Sequence, residues 1–356
     1  MGLASDFRLP CGEVEAIAAA ADRVESVDQA AACAKEITAL VAGLTASGLS
    51  GSLLCTLVSQ LNDRLSNRVI ELTARAHRLP SVPWCWLALG SQGRFEQTFI
   101  TDQDNGLIFS ASDSQESEAL RQLFLPFAQA VNRNLDHCGF TFCHGEIMAG
   151  NPKWCLSLEE WQLQFIEWVR RPDPMALMHA TIFFDLRPMY GDLALGERLR
   201  NLILALTKDT PAFLHLMGAN ALQAQPPLGL LGSVVTEAGE HGDQVDLKKY
   251  GARVFVDAAR IFALGTGVRA VETRERLAEA GPAVGLRDVE IRAAQDALSH
   301  LLRFRLAKQA AVLAAGGLPH HGVDPEELHE LDQAILRECL RQGKRLQQRL
   351  KLNYGL

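Results

Sequence analysis

The sequence predicts an α+β protein: a small mixed-sheet core between an N-terminal helical segment and a C-terminal helical bundle. Two apolar runs, at residues 84–89 and 107–109, are bounded by glycine and polar turn residues, as buried strands are. The stretches on either side are rich in Ala and Leu and carry amphipathic spacing, which favours helix. We therefore divide the chain into a helical segment (1–79), a core (80–192) and a helical domain (193–356).

The N-terminal segment is predicted to contain two helices. Ser26 and Gln29 have the spacing of a capping box, and a second helix is expected at residues 53–76. We expect these helices to pack against the sheet or to form a homodimer surface. The apolar stripe of the first one comprises Ala30, Cys33, Ile37, Val41 and Leu44.

Two carboxylates come directly before the second predicted strand. Residues two apart in an extended chain share a face, so Asp102 and Asp104 point the same way and Gln103 points away. Two converging carboxylates repel each other unless a cation lies between them. Mg²⁺ (or Mn²⁺) suits this pair, since it prefers oxygen ligands and is commonly shared with substrate phosphates.

The first predicted strand ends in Gly90 and Ser91. The glycine lets the backbone approach a phosphate, and the serine adds a hydroxyl and an N–H donor. A phosphate cradle beside a metal-carboxylate pair is the minimum equipment for moving a phosphoryl or nucleotidyl group. Arg94 is expected to contact phosphates, and Glu96 to hold Arg94 or the loop in place.

The rest of the core is predicted as a helix at residues 116–137, a third strand at 140–148, and two further helices. Pro126 should kink or interrupt the first of these helices. Asp185 and Arg187 share a face if that stretch is extended, so they form either a structural ion pair or a substrate contact. From residue 193 onward we expect a helical bundle, with segments at 193–206, 211–223, 247–264, 273–279, 286–315 and 325–352.

The string G-S-x-G-R-x-E-x-T-x-x-T-D-x-D-N, residues 90–105, resembles the active-site signature of the nucleotidyltransferase superfamily. It is most similar to the branch that holds the GlnD-type PII uridylyltransferases and the bacterial DUF294 family. Residues 143–155, 183–192 and 246–264 also resemble DUF294 and its C-terminal partner domain, so the resemblance covers most of the chain.

The resemblance implies two further site residues. Relatives usually carry a third carboxylate on the third strand, which completes the metal cage and can act as base; Glu146 is the acidic residue there, and the alternative is a solvated strand end. Relatives also use a lysine from the helical domain to reach the triphosphate. Lys248 is the candidate, and an exposed helix-start charge is the alternative.

Taken together, these features predict a metal-dependent nucleotidyltransferase. It would move NMP from an NTP to an acceptor hydroxyl on a protein or small molecule and release pyrophosphate. The alternatives are a catalytically weak nucleotide-binding regulator in signal transduction, and a scaffold in which the metal pair is vestigial. The sequence contains no His-Asp dipeptide, so we expect none of the hydrolase activity that accompanies the GlnD-type enzymes.

Composition limits the acceptors, metal sites and cellular locations that we expect. A net charge of −7 disfavours nucleic acid as the acceptor. The eight cysteines form no C-x-x-C pair and are read as reduced thiols; a zinc site around residues 137–155 is the weaker alternative. The sequence has no secretory signal pattern and no apolar run of about 20 residues, so we expect a cytoplasmic protein without a membrane span.

Overall fold

The structure is a computed structural model that describes residues 11–229, 232–239 and 242–356. It confirms the predicted α+β class. The central sheet is mixed and has the strand order β3-β2-β1-β4, in which β1 is antiparallel to β2 and β4, and β2 is parallel to β3. Its strands are β1 (Trp84–Ala88), β2 (Asn105–Phe109), β3 (Cys155–Ser157) and β4 (Arg187–Gly191).

Helices surround this sheet. Those of the N-terminal part and the core are α1 (Cys11–Asp22), α2 (Val27–Ala46), α3 (Gly51–Arg75), the short α4 (Gly90–Gly93), α5 (Ser114–His137), α6 (Leu158–Arg170) and α7 (Pro174–Phe183). Those that follow are α8 (Leu193–Lys208), α9 (Pro211–Ala221), a π-helical turn (Leu247–Ala252), α10 (Arg253–Thr266), α11 (Thr273–Ala280), α12 (Asp288–Ala314) and α13 (Glu330–Tyr354).

The local signals at the N-terminus are confirmed. The side chain of Ser26 caps α2 by accepting a hydrogen bond from the amide of Gln29. The predicted stripe is the buried face of α2, and it packs against α3. Pro126 does not interrupt α5, which runs unbroken from Ser114–His137.

The two faces of the sheet are buried by different helices. Trp86 and Phe109 point to one face and share a core with the apolar residues of α2, α3 and α5. Leu87 and Ile108 point to the other face and join α6, α7, α8 and the C-terminal helices. This alternation is the period of two that a strand imposes. The candidate site lies where β1 ends and β2 begins.

The predicted third strand at residues 140–148 is wrong. Thr141 pairs with Asp102 in a parallel bridge, and the amide of Asn105 donates to the carbonyl of Ile147 at 3.1 Å, but the chain between these contacts is a turn. The amide of Glu146 closes this turn on the carbonyl of Cys143 at 2.9 Å. The strand that does pair with β2 is β3.

The prediction that the C-terminal part is helical throughout is wrong. Three short strands form a second, antiparallel sheet with the order β5-β6-β7. They are β5 (Glu237–Gly239), β6 (Gly242–Asp246) and β7 (Gly322–Val323). Only three of their ten residues, Ala238, Val245 and Val323, are apolar, so no apolar alternation marked them in the sequence.

Across the described ranges, no helix combines the length and apolar character that crossing a membrane requires.

Candidate active site

Gly90, the first residue of α4, has a backbone conformation that favours glycine. Its φ is +54°, in the left-handed region. The preceding amide, of Leu89, donates to the carbonyl of Asp104 at 3.0 Å, which ties the turn to the carboxylate segment. A Cβ built on Gly90 would lie 2.7 Å from Oδ2 of Asp104, so only glycine fits this contact.

Asp102 and Asp104 are both partly buried, and the residue between them is buried. Gln103 lies between them, is buried, and donates to the carbonyls of Phe140 at 2.8 Å and Asn132 at 2.9 Å. Burial, and then the negative charge of Asp102, raise the pKa of Asp104 to about 6. The two carboxylates therefore lie close enough to repel each other.

A buried amide network that sequence reasoning missed holds this segment in place. The side chain of Asn132, on α5, donates to Oε1 of Gln103 at 2.7 Å and to Oδ1 of Asn105 at 3.0 Å. The amide of Ala149 donates to the same Oδ1 at 2.8 Å. Because every member is buried and bonded, the network fixes the backbone that carries both aspartates.

A cavity of about 400 Å³ lies between the core and the C-terminal helices. Its lining includes three of the predicted site residues, Ser91, Arg94 and Lys248. The positive charge of Lys248 also acts to lower the pKa of Asp104, so the two side chains lie within electrostatic range of each other. The cavity has the size of a small-molecule site and adjoins the Gly90 turn.

Arg94 is held by carboxylates. Its Nε donates to Oε2 of Glu96 at 2.7 Å, and its Nη1 donates to Oδ2 of Asp185 at 2.5 Å. Glu96 therefore secures Arg94, as expected. Since two carboxylates already form ion pairs with its guanidinium group, Arg94 is better suited to fixing the cavity wall than to binding phosphate.

Asp185 is the centre of a buried charge cluster that joins the core to the C-terminal helices. It is fully buried and bonds Arg94, both Nε and Nη2 of Arg260 (2.9 and 2.6 Å), and Arg276. Burial alone would raise its pKa, but these three guanidinium groups hold the pKa well below the usual range.

The expected pair of Asp185 with Arg187 does not form. Arg187 instead bonds Oδ2 of Asp63 on α3 at 2.6 Å. The two residues are not in one extended strand, because Asp185 lies in the turn that follows α7.

Glu146 does not join the aspartates. It is exposed, sits in the turn with a φ of +55°, and offers its backbone carbonyl to Nε1 of Trp154 at 3.0 Å. Within residues 11–229, 232–239 and 242–356, no three His, Cys, Asp or Glu side chains are grouped as metal ligands. The side chain that does contact Asp104 in this region is the thiol of Cys143, which donates a hydrogen bond to its carboxylate. Burial and the nearby charge raise the pKa of this thiol to about 11, so it remains a hydrogen-bond donor.

The two aspartates still fit Mg²⁺ or Mn²⁺. Their oxygens are hard ligands, and their mutual repulsion is relieved by a cation. Mg²⁺ is often bound by only one or two carboxylates, and the substrate phosphates complete its shell.

Two family models match the chain. Residues 35–175 match the model described as "Putative nucleotidyltransferase DUF294". Residues 211–354 match the model described as "Putative nucleotidyltransferase substrate binding domain". No curated protein matches the chain.

Proposed function

The chain belongs to the DUF294 nucleotidyltransferase family, and from that premise we propose that it transfers NMP from an NTP to an acceptor hydroxyl with release of pyrophosphate. The observation that carries this proposal is the contact between the Gly90 turn and Asp104, with Asp102 close enough to repel that carboxylate. A phosphate bound at this turn would lie next to a cation held by the two carboxylates.

Asp102 and Asp104 are the proposed ligands of Mg²⁺ or Mn²⁺. A cation bound there would supply charge neutralisation for the phosphates and help to orient the α-phosphate for attack. We leave Glu146 out of this set, because it is exposed in a turn. Cys143 donates a hydrogen bond to Asp104 and so orients that carboxylate.

The remaining residues bind and position the nucleotide. Ser91 offers its hydroxyl and N–H from the cavity wall, and Lys248, which lines the same cavity, brings a positive charge to the phosphates. Arg94 fixes part of this wall through its two carboxylate partners.

In this proposal the acceptor binds on the side of the cavity that the C-terminal helices form. The match of residues 211–354 to a substrate binding domain supports that direction. By analogy with the uridylyltransferase branch, the acceptor is a hydroxyl of a protein side chain or of a small molecule. The net charge of −7 disfavours nucleic acid.

A second candidate function is a nucleotide-binding regulator with weak catalysis. The absence of a third carboxylate beside Asp102 and Asp104 among the described residues favours it. In that case the C-terminal helices would report nucleotide occupancy to a partner, through the Asp185 cluster that connects them to the core.

The test is label transfer. The protein is incubated with each α-labelled NTP, Mg²⁺ or Mn²⁺, and a cell lysate, and label is followed onto proteins and small molecules. We expect transfer by the wild type and none by the double variant Asp102→Asn, Asp104→Asn. Equal transfer by that variant would contradict the proposal, and saturable NTP binding without transfer would favour the regulator.

A further inference from the structure

Arg305 is a buried cation in the wall of the active-site cavity. It lies on α12, between the buried residues Phe304 and Leu306, and its exposure is 7%. Its side chain lines the same cavity as Ser91 and Lys248. Arginine is rarely buried this deeply unless an anion accompanies it.

No carboxylate in the described part of the chain forms an ion pair with Arg305, and its buried Nε has no hydrogen-bond partner. Burial lowers its pKa, and the neighbouring Cys55, then Asp246 and Glu96, oppose this. The pKa of Cys55 is raised to about 12, so this thiol is neutral, and neither carboxylate lies within ion-pairing distance. A guanidinium remains charged in proteins. The folded chain therefore keeps a desolvated positive charge without a close counter-ion, which is unfavourable unless a ligand supplies one.

The other buried arginines nearby are all paired, which sets Arg305 apart. Arg94, Arg260 and Arg276 each bond Asp185, and the first two have a second acid. The same sequence thus provides partners for three buried guanidinium groups and none, within the described residues, for the fourth.

The acids of the cavity wall are already engaged. Glu96 bonds Arg94, and Asp257 bonds Arg253 and Arg260. Asp246 accepts from the amides of Lys248 and Lys249 as a helix cap. An anion entering the cavity would therefore meet the charges of Lys248 and Arg305 rather than an open carboxylate.

We propose that Arg305 binds a phosphate of the NTP triphosphate tail, together with Lys248 in the wall of the same cavity. A guanidinium donates two parallel hydrogen bonds to a phosphate, and an already desolvated one loses little hydration on binding. The assignment of the anion to the nucleotide rests on the proposed function. A phosphate carried by the acceptor would offer the same chemistry, and the experiment separates the two sources.

The test is calorimetric binding of inorganic triphosphate, and separately of an NTP, in the presence of Mg²⁺. Arg305→Met removes the charge and keeps the apolar stem. Arg303→Met is the matched control, since Arg303 lies on the same helix and pairs with Asp332. Loss of a charged hydrogen bond predicts about 10- to 100-fold weaker binding of both ligands by Arg305→Met and unchanged binding by Arg303→Met.

Stability separates a binding role from a structural one. Without ligand, Arg305→Met should have a Tm equal to or above that of the wild type, because it loses an unpaired buried charge. A clearly lower Tm with unchanged affinity would overturn the inference. If the variant does not fold, Arg305→Lys keeps the charge but not the two-pronged geometry, and it must still weaken triphosphate binding.

Comparing ligand affinities with label transfer separates the role of Arg305 from the proposed function. Unchanged affinities in Arg305→Met, with label transfer by the wild type, overturn this inference and leave the proposed function standing. Unchanged NTP affinity of Arg305→Met, with weaker label transfer than the wild type in the lysate assay, assigns the phosphate to the acceptor and also overturns this inference. Arg305-dependent triphosphate binding without any transfer supports the inference and removes the proposed function.

Discussion

Gly90 and Asp104 touch: a Cβ on Gly90 would lie 2.7 Å from Oδ2 of the carboxylate. The residue that shapes the phosphate turn and the residue proposed to hold the metal are therefore one structural unit. A side chain at position 90 would have to displace the carboxylate of Asp104.

Gly90→Ala should therefore abolish metal-dependent NTP binding, because the methyl group displaces Asp104. The left-handed φ adds about 1–2 kcal/mol of strain to the folded state. Gly48→Ala is the matched control, since Gly48 has a φ of +80° and open space around its Cα. Urea unfolding and NTP titration should show similar destabilisation in both variants, with binding lost in Gly90→Ala alone. Retained binding in Gly90→Ala would argue against the contact.

Lys248→Met should weaken NTP binding by about tenfold or more, the value of one charge-assisted contact. Lys249→Met should have a much smaller effect, although Lys249 also lines the cavity. Its ammonium lies over the ring of Tyr250, 4.6 Å from the centroid, whereas Lys248 acts on Asp104. Equal effects of the two substitutions on the measured Kd would show that only overall charge matters.

Asp185→Asn should lower the free energy of unfolding by about 3–5 kcal/mol, since it leaves three buried arginines with one carboxylate fewer. The exposed Asp243 provides a control, and Asp243→Asn should change stability by less than about 0.5 kcal/mol. Urea unfolding measures both. A loss below about 1 kcal/mol for Asp185→Asn would mean that the cluster does not hold the helices to the core.

His321 should make stability depend on pH between about 4 and 6.5. Burial, then the charges of Arg305 and Lys248, lower its pKa to about 4, although Asp246 and Asp102 oppose this. The unfolded chain therefore binds more protons in that window, so the contribution is present above the ordinary histidine pKa of about 6.5 and lost as pH falls toward 4.

The measurement is urea unfolding of the wild type and His321→Gln at several pH values. The wild type should lose about 1–2 kcal/mol more than the variant between pH 7 and pH 4.5, a figure reduced for partial exposure. His144→Gln, at an exposed position, should follow the wild type. Parallel pH profiles of His321→Gln and the wild type would contradict the assignment.

Short-range rules were enough to predict the local geometry around the proposed metal ligands. The period of two agrees with the burial of Gln103 between the less buried Asp102 and Asp104, and a glycine is needed where the turn after β1 meets Asp104. The capping signal at Ser26 and the stripe on α2 are equally local. These features depend on neighbours in sequence or on a single strand pair.

The features that could not be predicted depend on distant partners. Arg260 and Arg276 are 75 and 91 residues from Asp185, and no local pattern connects them. The sequence predicts a strand at Glu146 because its neighbours favour β structure. In the structure Glu146 itself has a left-handed φ of +55° and forms a turn together with Gly145. Arg305 looks, in sequence, like any helical arginine that extends its charge to solvent.

The central claim is that Asp102 and Asp104 bind a divalent cation together with NTP. The direct measurement is Mn²⁺ binding by electron paramagnetic resonance, in the presence of a non-hydrolysable NTP analogue, for the wild type and the folded double variant Asp102→Asn, Asp104→Asn. The account predicts analogue-dependent Mn²⁺ binding by the wild type that the double variant lacks. Equal Mn²⁺ binding by the two proteins would contradict it.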